Sequence, residues 1–190
     1  MSNLVRTFSI LASDLRFPEG PVALSDGSLF VVEIAAGRLT RVYADGRTVV
    51  HAKPGGGPNG AALGPGGAIF VCNNGGFAWH YEGGELVPSG RPDDYSGGRI
   101  ERVDVVTGEV AVTHPATDRG VLSGPNDLVF DSEGGLWFTD LGHVGPDSIE
   151  RGPICYAPPD GGVARVVVHP MLTPNGIGLS PDGGTLYVAE

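Results

Sequence analysis

Basic charge is scarce in this chain of 190 residues: 12 Lys and Arg face 22 Asp and Glu, and charged residues make up only 18%. A formal net charge of −10 leaves no basic footprint for a phosphate backbone, so nucleic acid is not an expected partner. Cysteine is scarcer. Cys72 and Cys155 lie far apart inside apolar runs, in neither a metal-ligand pair nor a CxxC motif, and are expected to be buried reduced thiols. No stretch approaches the ~18 apolar residues of a membrane span, and residues 1–12 lack the basic start and apolar run of a signal peptide. A cytoplasmic location away from membranes follows by default. Phosphate-binding loops, nucleotide-binding glycine fingerprints and serine nucleophile elbows are also missing.

What the chain has in quantity is glycine (32) and proline (16), a share that borders on low complexity. The glycines fall at turns between apolar runs, however, which marks an ordered all-β protein rather than a disordered one. A hydrophobic content of 41% is enough for one sizeable core.

One phrase recurs four times. It reads Phe-Pro-Glu-Gly-Pro-Val-Ala-Leu at 17–24, Gly-Pro-Asn-Gly-Ala-Ala-Leu at 57–63, Gly-Pro-Asn-Asp-Leu-Val-Phe at 124–130 and Thr-Pro-Asn-Gly-Ile-Gly-Leu at 173–179. A turn and a second apolar run follow each copy. The first unit, 18–53, predicts strands at Val22–Leu24, Leu29–Glu33, Leu39–Tyr43 and Thr48–Ala52, separated by Asp26-Gly27, Gly37 and Asp45-Gly46. The second, 58–116, predicts Ala61–Leu63, Ile69–Cys72, Arg99–Asp104 and Val110–Thr113, with a long insertion at 73–98. The third, 124–170, predicts Leu128–Phe130, Leu136–Asp140, Pro153–Ala157 and Ala164–Val168, with an insertion at 141–152. The fourth, 174–190, predicts Ile177–Leu179 and Leu186–Ala189. A further strand is expected within residues 4–12. Four short strands per repeat is the size of a β-propeller blade, and the expected fold is an all-β propeller of four-stranded antiparallel blades.

In that architecture the residue before each first strand sits at one mouth of the central channel. Glu19, Asn59, Asn126 and Asn175 are therefore expected in a ring. The second strands return to the same mouth, carrying Glu33, Asn73, Asp140 and Glu190. The insertions should overhang the ring, with Phe77, Trp79, His80, Tyr81 and His143 in a rim. A carboxylate with several amide oxygens suits a hard cation such as calcium, which takes six to eight oxygen ligands. Asp127 could act as base or support such a site. Taken singly, each Pro-Asn-Gly or Pro-Glu-Gly reads as an ordinary turn; recurrence in phase with the blades favours function for Glu19, Asn126 and Asn175. Asn59 is read both ways, as turn residue and as substrate contact, and His143 is a further candidate substrate contact.

These phrases, together with Phe-Asp-Ser-Glu-Gly-Gly-Leu-Trp-Phe-Thr-Asp at 130–140 and Ser-Pro-Asp-Gly-Gly-Thr-Leu-Tyr-Val-Ala-Glu at 180–190, resemble the senescence marker protein/gluconolactonase/luciferin-regenerating enzyme family across residues 15–190. The resemblance implies a propeller, six-bladed in the family, holding a catalytic divalent metal, usually calcium, with zinc, magnesium and manganese as alternatives. It implies a small lactone or ester as substrate and a lactonase- or esterase-type hydrolase as activity. By motif, Glu19 and Asn175 resemble metal ligands, and Asn126, with Asp127 beside it, resembles a contact to metal or substrate. A family aspartate from a later blade has no counterpart, and Gly124-Pro125 stands where some members carry a substrate-binding arginine.

About three and a half blades are expected, so the chain reads as the N-terminal part of a larger propeller, with little or no turnover on its own. Two alternatives to the enzyme are a non-catalytic calcium-binding protein and a propeller that serves as a protein-interaction platform. Oligomeric state is left open.

Overall fold

The computed structural model describes residues 8–145 and 147–190. The chain forms successive antiparallel sheets. The first contains β1 (Pro18–Ala23), β2 (Leu29–Glu33), β3 (Arg38–Val42) and β4 (Thr48–Ala52), hydrogen-bonded in that order. The second opens with β5 (Pro58–Leu63) and β6 (Ile69–Asn73). A separate hairpin, β7 (Trp79–Glu82) and β8 (Glu85–Pro88), intervenes before β9 (Arg99–Val103) and β10 (Val110–His114) complete it. A small hairpin of β11 (Ala116–Thr117) and β12 (Gly120–Val121) leads to the third sheet. That sheet contains β13 (Pro125–Phe130), β14 (Leu136–Asp140), β17 (Arg151–Ala157) and β18 (Arg165–Leu172), with the ribbon β15 (Val144–Gly145) and β16 (Ser148–Ile149) inserted. Finally β19 (Ile177–Leu179) pairs with β20 (Leu186–Val188).

The expected strands are present, and their ends are fixed by turn chemistry. Asp26 and Asp45 each accept a backbone N–H two residues on, and Gly27 and Gly46 between them take φ of 83° and 84°. That conformation is open to glycine without a Cβ penalty. The strand expected within 4–12 is not found over residues 8–12, where Phe8 and Ile10 are exposed and no neighbouring strand offers a ladder. Residues 4–7 lie outside the described residues. No described helix is long and apolar enough to cross a membrane.

First strands lie side by side, β1 against β5, β5 against β13 and β13 against β19, although none of these pairs shares a sheet. The sheets are therefore blades radiating from a line of inner strands, a β-propeller arrangement of three four-stranded blades and a two-stranded fourth. The apolar core is not the single body that composition suggested. Val22, Phe30, Val32, Leu39 and Ala52 of the first blade pack on Ile69, Val71 and Val103 of the second. Cys72 and Ile100 of the second pack on Leu128, Phe138, Cys155 and Ala164 of the third. Alternation along β6 explains the division: Ile69 and Val71 point to one neighbour, Phe70 and Cys72 to the other. A strand buried on both faces reads as a continuous apolar run, as Ile-Phe-Val-Cys does. Both cysteines are free and buried, and burial pushes both thiols well up from their ordinary value.

The Pro-Glu and Pro-Asn of the first three phrases lie inside strands, each with a β-bulge, whereas Pro174-Asn175-Gly176 of the fourth precedes β19. Gly20-Pro21 stands opposite Val31 alone, Asn59-Gly60 opposite Cys72, and Asn126-Asp127 opposite Thr139. Two residues facing one bends the strand and re-aims the side chains beside it. The glycine of the phrase has a packing cause. A Cβ on Gly60 would meet the Asn126 carbonyl oxygen and come within 2.6 Å of the Asp127 Cα, and one on Gly20 would lie 2.5 Å from the Ala61 nitrogen. Inner strands of adjacent blades approach too closely there for any side chain.

Replacing Gly60 by Ala should force the first strands of two blades apart, at a cost of roughly 1–3 kcal/mol. Gly178, whose Cβ position is open, is the control, and Gly178→Ala should change stability by no more than about 0.5 kcal/mol. Urea denaturation midpoints of the two variants read the contrast directly.

Candidate functional site

The bulged phrases converge on one cavity of about 230 Å³, lined by Glu19, Asn59, Gly60, Asn126, Asp127 and Asn175. Asn59 and Asn126 are buried at its floor, with 8% and 7% exposure, while Glu19 and Asn175 are exposed beside it. Among the described residues no hydrogen bond or ion pair ties down any of these four side chains. The amide atoms of Asn59 and Asn126 are not sealed off: they open onto the cavity and are free for water or a ligand. The donors are all oxygen or amide, and no group of three His, Cys, Asp or Glu that could hold a metal occurs among the described residues. The set therefore fits a hard, oxygen-seeking cation better than one that prefers imidazole or thiolate.

Asp127 occupies the phrase position held by glycine in the other copies, and its carboxylate ties two blades together. Oδ1 accepts from the Leu128 N–H at 2.9 Å and Oδ2 from the Ile177 N–H of β19 at 3.1 Å. Thr139 adds a second tie: its hydroxyl accepts from the Asp127 N–H and donates to the Asn175 carbonyl at 2.6 Å. Burial pushes the Asp127 carboxyl up despite the two N–H bonds, which pull the other way.

The ends of the second strands return beside the phrases as expected, and hold them from behind. Glu33, wholly buried, accepts from the Arg16 N–H at 2.7 Å, from Arg38 at 2.7 and 2.8 Å, and from the Thr40 hydroxyl at 2.5 Å. Asn73 accepts from the Gly57 N–H at 2.9 Å. Asp140 accepts from the Ser123 N–H at 2.8 Å and the Gly124 N–H at 2.6 Å, and Glu190 accepts from the Leu172 N–H. In every repeat the acceptor grips a backbone amide two or three positions before the Glu or Asn of the phrase. None of these four side chains lines the cavity, which leaves that part to the first-strand residues.

Both insertions leave from the mouth ends of their second strands and meet on Ser123, a residue to which no sequence signal points. Its carbonyl accepts from the Tyr95 hydroxyl at 2.5 Å and lies 3.2 Å from His143 Nε2. Its hydroxyl donates to Glu150 and accepts from Arg91, which also pairs with Glu150 at 3.0 Å. The rim is built from Phe17, Trp79, Phe77 and Tyr95, with the His143 ring bridging the last two and successive rings 5.0–6.1 Å apart. His80 and Tyr81 are exposed on the β7–β8 hairpin and join none of these ring contacts. His143 lies behind the rim with 5% exposure and does not line the donor cavity. Its Nε2–H faces the Ser123 carbonyl and its Nδ1 has no described partner. Burial first, and then Arg91, lower its proton affinity, so the ring stays neutral. Phe17 takes a φ of 56°, rare for a non-glycine residue, and is held there by the Glu33 bond to Arg16 and by the Ile34 N–H on its own carbonyl.

Two consequences of the braces can be measured. Asp140→Asn places an NH2 group against the Ser123 or Gly124 N–H and should lower stability by roughly 2–3 kcal/mol in chemical denaturation. Burial acts to raise the Glu33 carboxyl, but its hydrogen bonds and Arg38 outweigh this and hold it below the ordinary 4.5. The ionised group thus stabilises the fold above that pH, and the contribution fades as pH falls through the depressed value. Glu33→Gln should accordingly flatten the acid limb of stability against pH, as followed by thermal melting below about pH 4.5.

Residues 17–190 match the family model described as the SMP-30/Gluconolactonase/LRE-like region. The gluconolactonase of Zymomonas mobilis subsp. mobilis is 27% identical over 202 residues, covering 95% of this chain and 51% of the relative. The lactonase drp35 of Staphylococcus haemolyticus is 29% identical over 174 residues, covering 90% of this chain and 47% of the relative. The chain thus spans about half the length of these curated relatives. Among solved structures, the gluconolactonase XC5397 from Xanthomonas campestris aligns with a TM-score of 0.73 at 24% identity, covering 95% of this chain and 56% of that one. A nidogen/laminin complex aligns with a TM-score of 0.64 at 20% identity, covering 93% and 57%, so the fold extends beyond lactonases. The family model spans all four repeated phrases, and by that match the chain belongs to the SMP-30/gluconolactonase/LRE-like family.

Proposed function

We propose that the protein hydrolyses lactones or related esters at the donor cavity, with a divalent cation held by Glu19, Asn126 and Asn175. Calcium is the first choice, ahead of zinc, magnesium and manganese. The observation that carries this reading is that four oxygen-bearing side chains from four repeats line one cavity with no partner of their own. Relatives named gluconolactonase and lactonase support the substrate class.

A bound cation would polarise the substrate carbonyl and stabilise the negative charge that develops on its oxygen. The chain's own groups do the rest. Asn59, buried at the floor with a free amide, orients the substrate through hydrogen bonds to ring or carbonyl oxygens. Asp127 lines the same cavity and is the group that accepts a proton from the attacking water. Its raised proton affinity suits a base, and its bonds to the Leu128 and Ile177 N–H groups fix the carboxylate plane. The rim from Phe17 to Tyr95 narrows water access to the mouth. His143 acts from behind this wall by holding Phe77 and Tyr95 in place.

Calcium at a hundred times its Kd should stabilise the protein by about 2.7 kcal/mol, seen as a rise in Tm, and Glu19→Gln should abolish the rise. Lactone turnover by the whole protein should vanish with chelator and return with calcium. Calcium-dependent stabilisation with no turnover on any lactone would instead mark a cation-binding protein, and the absence of both would end the proposal.

A further inference from the structure

We infer that the outer flank of the third blade carries an oxyanion site, separate from the donor cavity, that takes a phosphate or carboxylate group of a small molecule. A cavity of about 330 Å³ there is lined by Arg119, Arg151 and His169 together with Ser123, Glu150 and the β11–β12 hairpin. In a chain with only 12 Lys and Arg, two arginines line this one hollow, beside Asp140 and Glu150. Most other arginines are spoken for: Arg38, Arg41, Arg91 and Arg99 sit in ion pairs, and Arg47 and Arg165 lie over tyrosine rings. Arg119 and Arg151 make no side-chain hydrogen bond, ion pair or ring contact among the described residues, yet they face the same space.

The acidic groups around the hollow are already engaged. Glu150 spends both oxygens on Arg91, Ser123 and the His143 N–H. Asp140 is committed to the Ser123, Gly124 and Gly142 amides. Asp118 accepts from the Val166 N–H at 2.9 Å. None of these carboxylates is bonded to Arg119 or Arg151, so both guanidinium groups keep their N–H donors free for a ligand.

The site is also held in shape before any ligand arrives. Asp118, at the tip of the hairpin, is clasped to β18 twice: by its carboxylate on Val166, and by its own N–H on the Ala164 carbonyl at 2.8 Å. Thr117 accepts from the Arg119 N–H at 3.2 Å and closes the turn. Arg119 therefore stands over the sheet, near enough to the buried Cys155 to offset in part the burial and the Asp140 charge that raise that thiol. Arg151 opens β17 and His169 lies on β18, so all three cationic or donor groups rest on fixed elements. Guanidinium forks carried on these anchored segments match the paired oxygens of phosphate or carboxylate. Ser123 and Glu150 border the hollow, so an occupant touches the segment that the Asp140 brace holds three residues before Asn126.

The test uses inorganic phosphate and acetate as probes in calorimetry and thermal shift, at constant ionic strength with sodium chloride as balance and chelator present. The expected result is saturable binding of phosphate that Arg119→Gln or Arg151→Gln each weakens by about tenfold or more and that Glu19→Gln leaves unchanged. Both arginines are exposed, so circular dichroism and Tm of the variants should match the parent. Acetate bound at the same residues would assign the site to carboxylates as well, within the same oxyanion chemistry. No saturable binding of either probe, binding that survives the double variant, or binding lost in Glu19→Gln would each overturn the inference.

Discussion

The hydrogen bond from a backbone amide to the polar residue that ends each second strand is the contact on which the site rests. Without it the phrase would enter its strand at no fixed angle, and a bulge can aim a side chain only if the chain before it is anchored. The acceptor is a carboxylate in three repeats and an amide in one: Glu33, Asp140, Glu190 and Asn73. Charged acceptors make the stronger bonds, and burial protects those of Glu33 and Asp140 from competing water, whereas Glu190 is exposed. The chain therefore uses two sets of oxygens in each blade. One set is spent on the fold, and the other is left open at the channel mouth.

Much of this was legible in the sequence. Strand positions followed from Asp-Gly turns between alternating apolar residues, and the location of Glu19, Asn59, Asn126 and Asn175 followed from recurrence at blade length. The braces were not legible in their role, because the partner of an acceptor such as Asp140 lies 16 or 17 residues earlier on another strand. Their placement at the mouth end was right, but hydrogen bonding had claimed their oxygens. The β7–β8 hairpin was missed although Gly83-Gly84 lies between its strands, a recognised turn signal. Gly60 was read as a turn residue, whereas the structure needs it for close approach of two inner strands. No local pattern announces a contact between strands in different blades.

Asp127 shows how one departure from the repeat acquires a role of its own. Where two other copies carry glycine against a neighbouring strand, the third carries an acid that reaches across and holds the next blade through the Ile177 N–H. The same residue lines the donor cavity, so the group best placed to handle a proton is also a clasp between blades. A change at this position alters the chemistry of the site and the docking of β19 together. Comparison with Glu33 is instructive: Glu33 is fully buried with Arg38 as a compensating charge, while the half-buried Asp127 has only dipoles.

The division of the apolar core carries a last consequence. Since β6 sends alternate residues to two clusters, no blade possesses a core of its own; each owns one face of a core and borrows the other. Stability then accumulates at the joints between neighbours, as in other repeat architectures. A blade removed from its neighbours would expose both faces, and folding should advance joint by joint, the second blade serving as the hinge on which the first and third are zipped together.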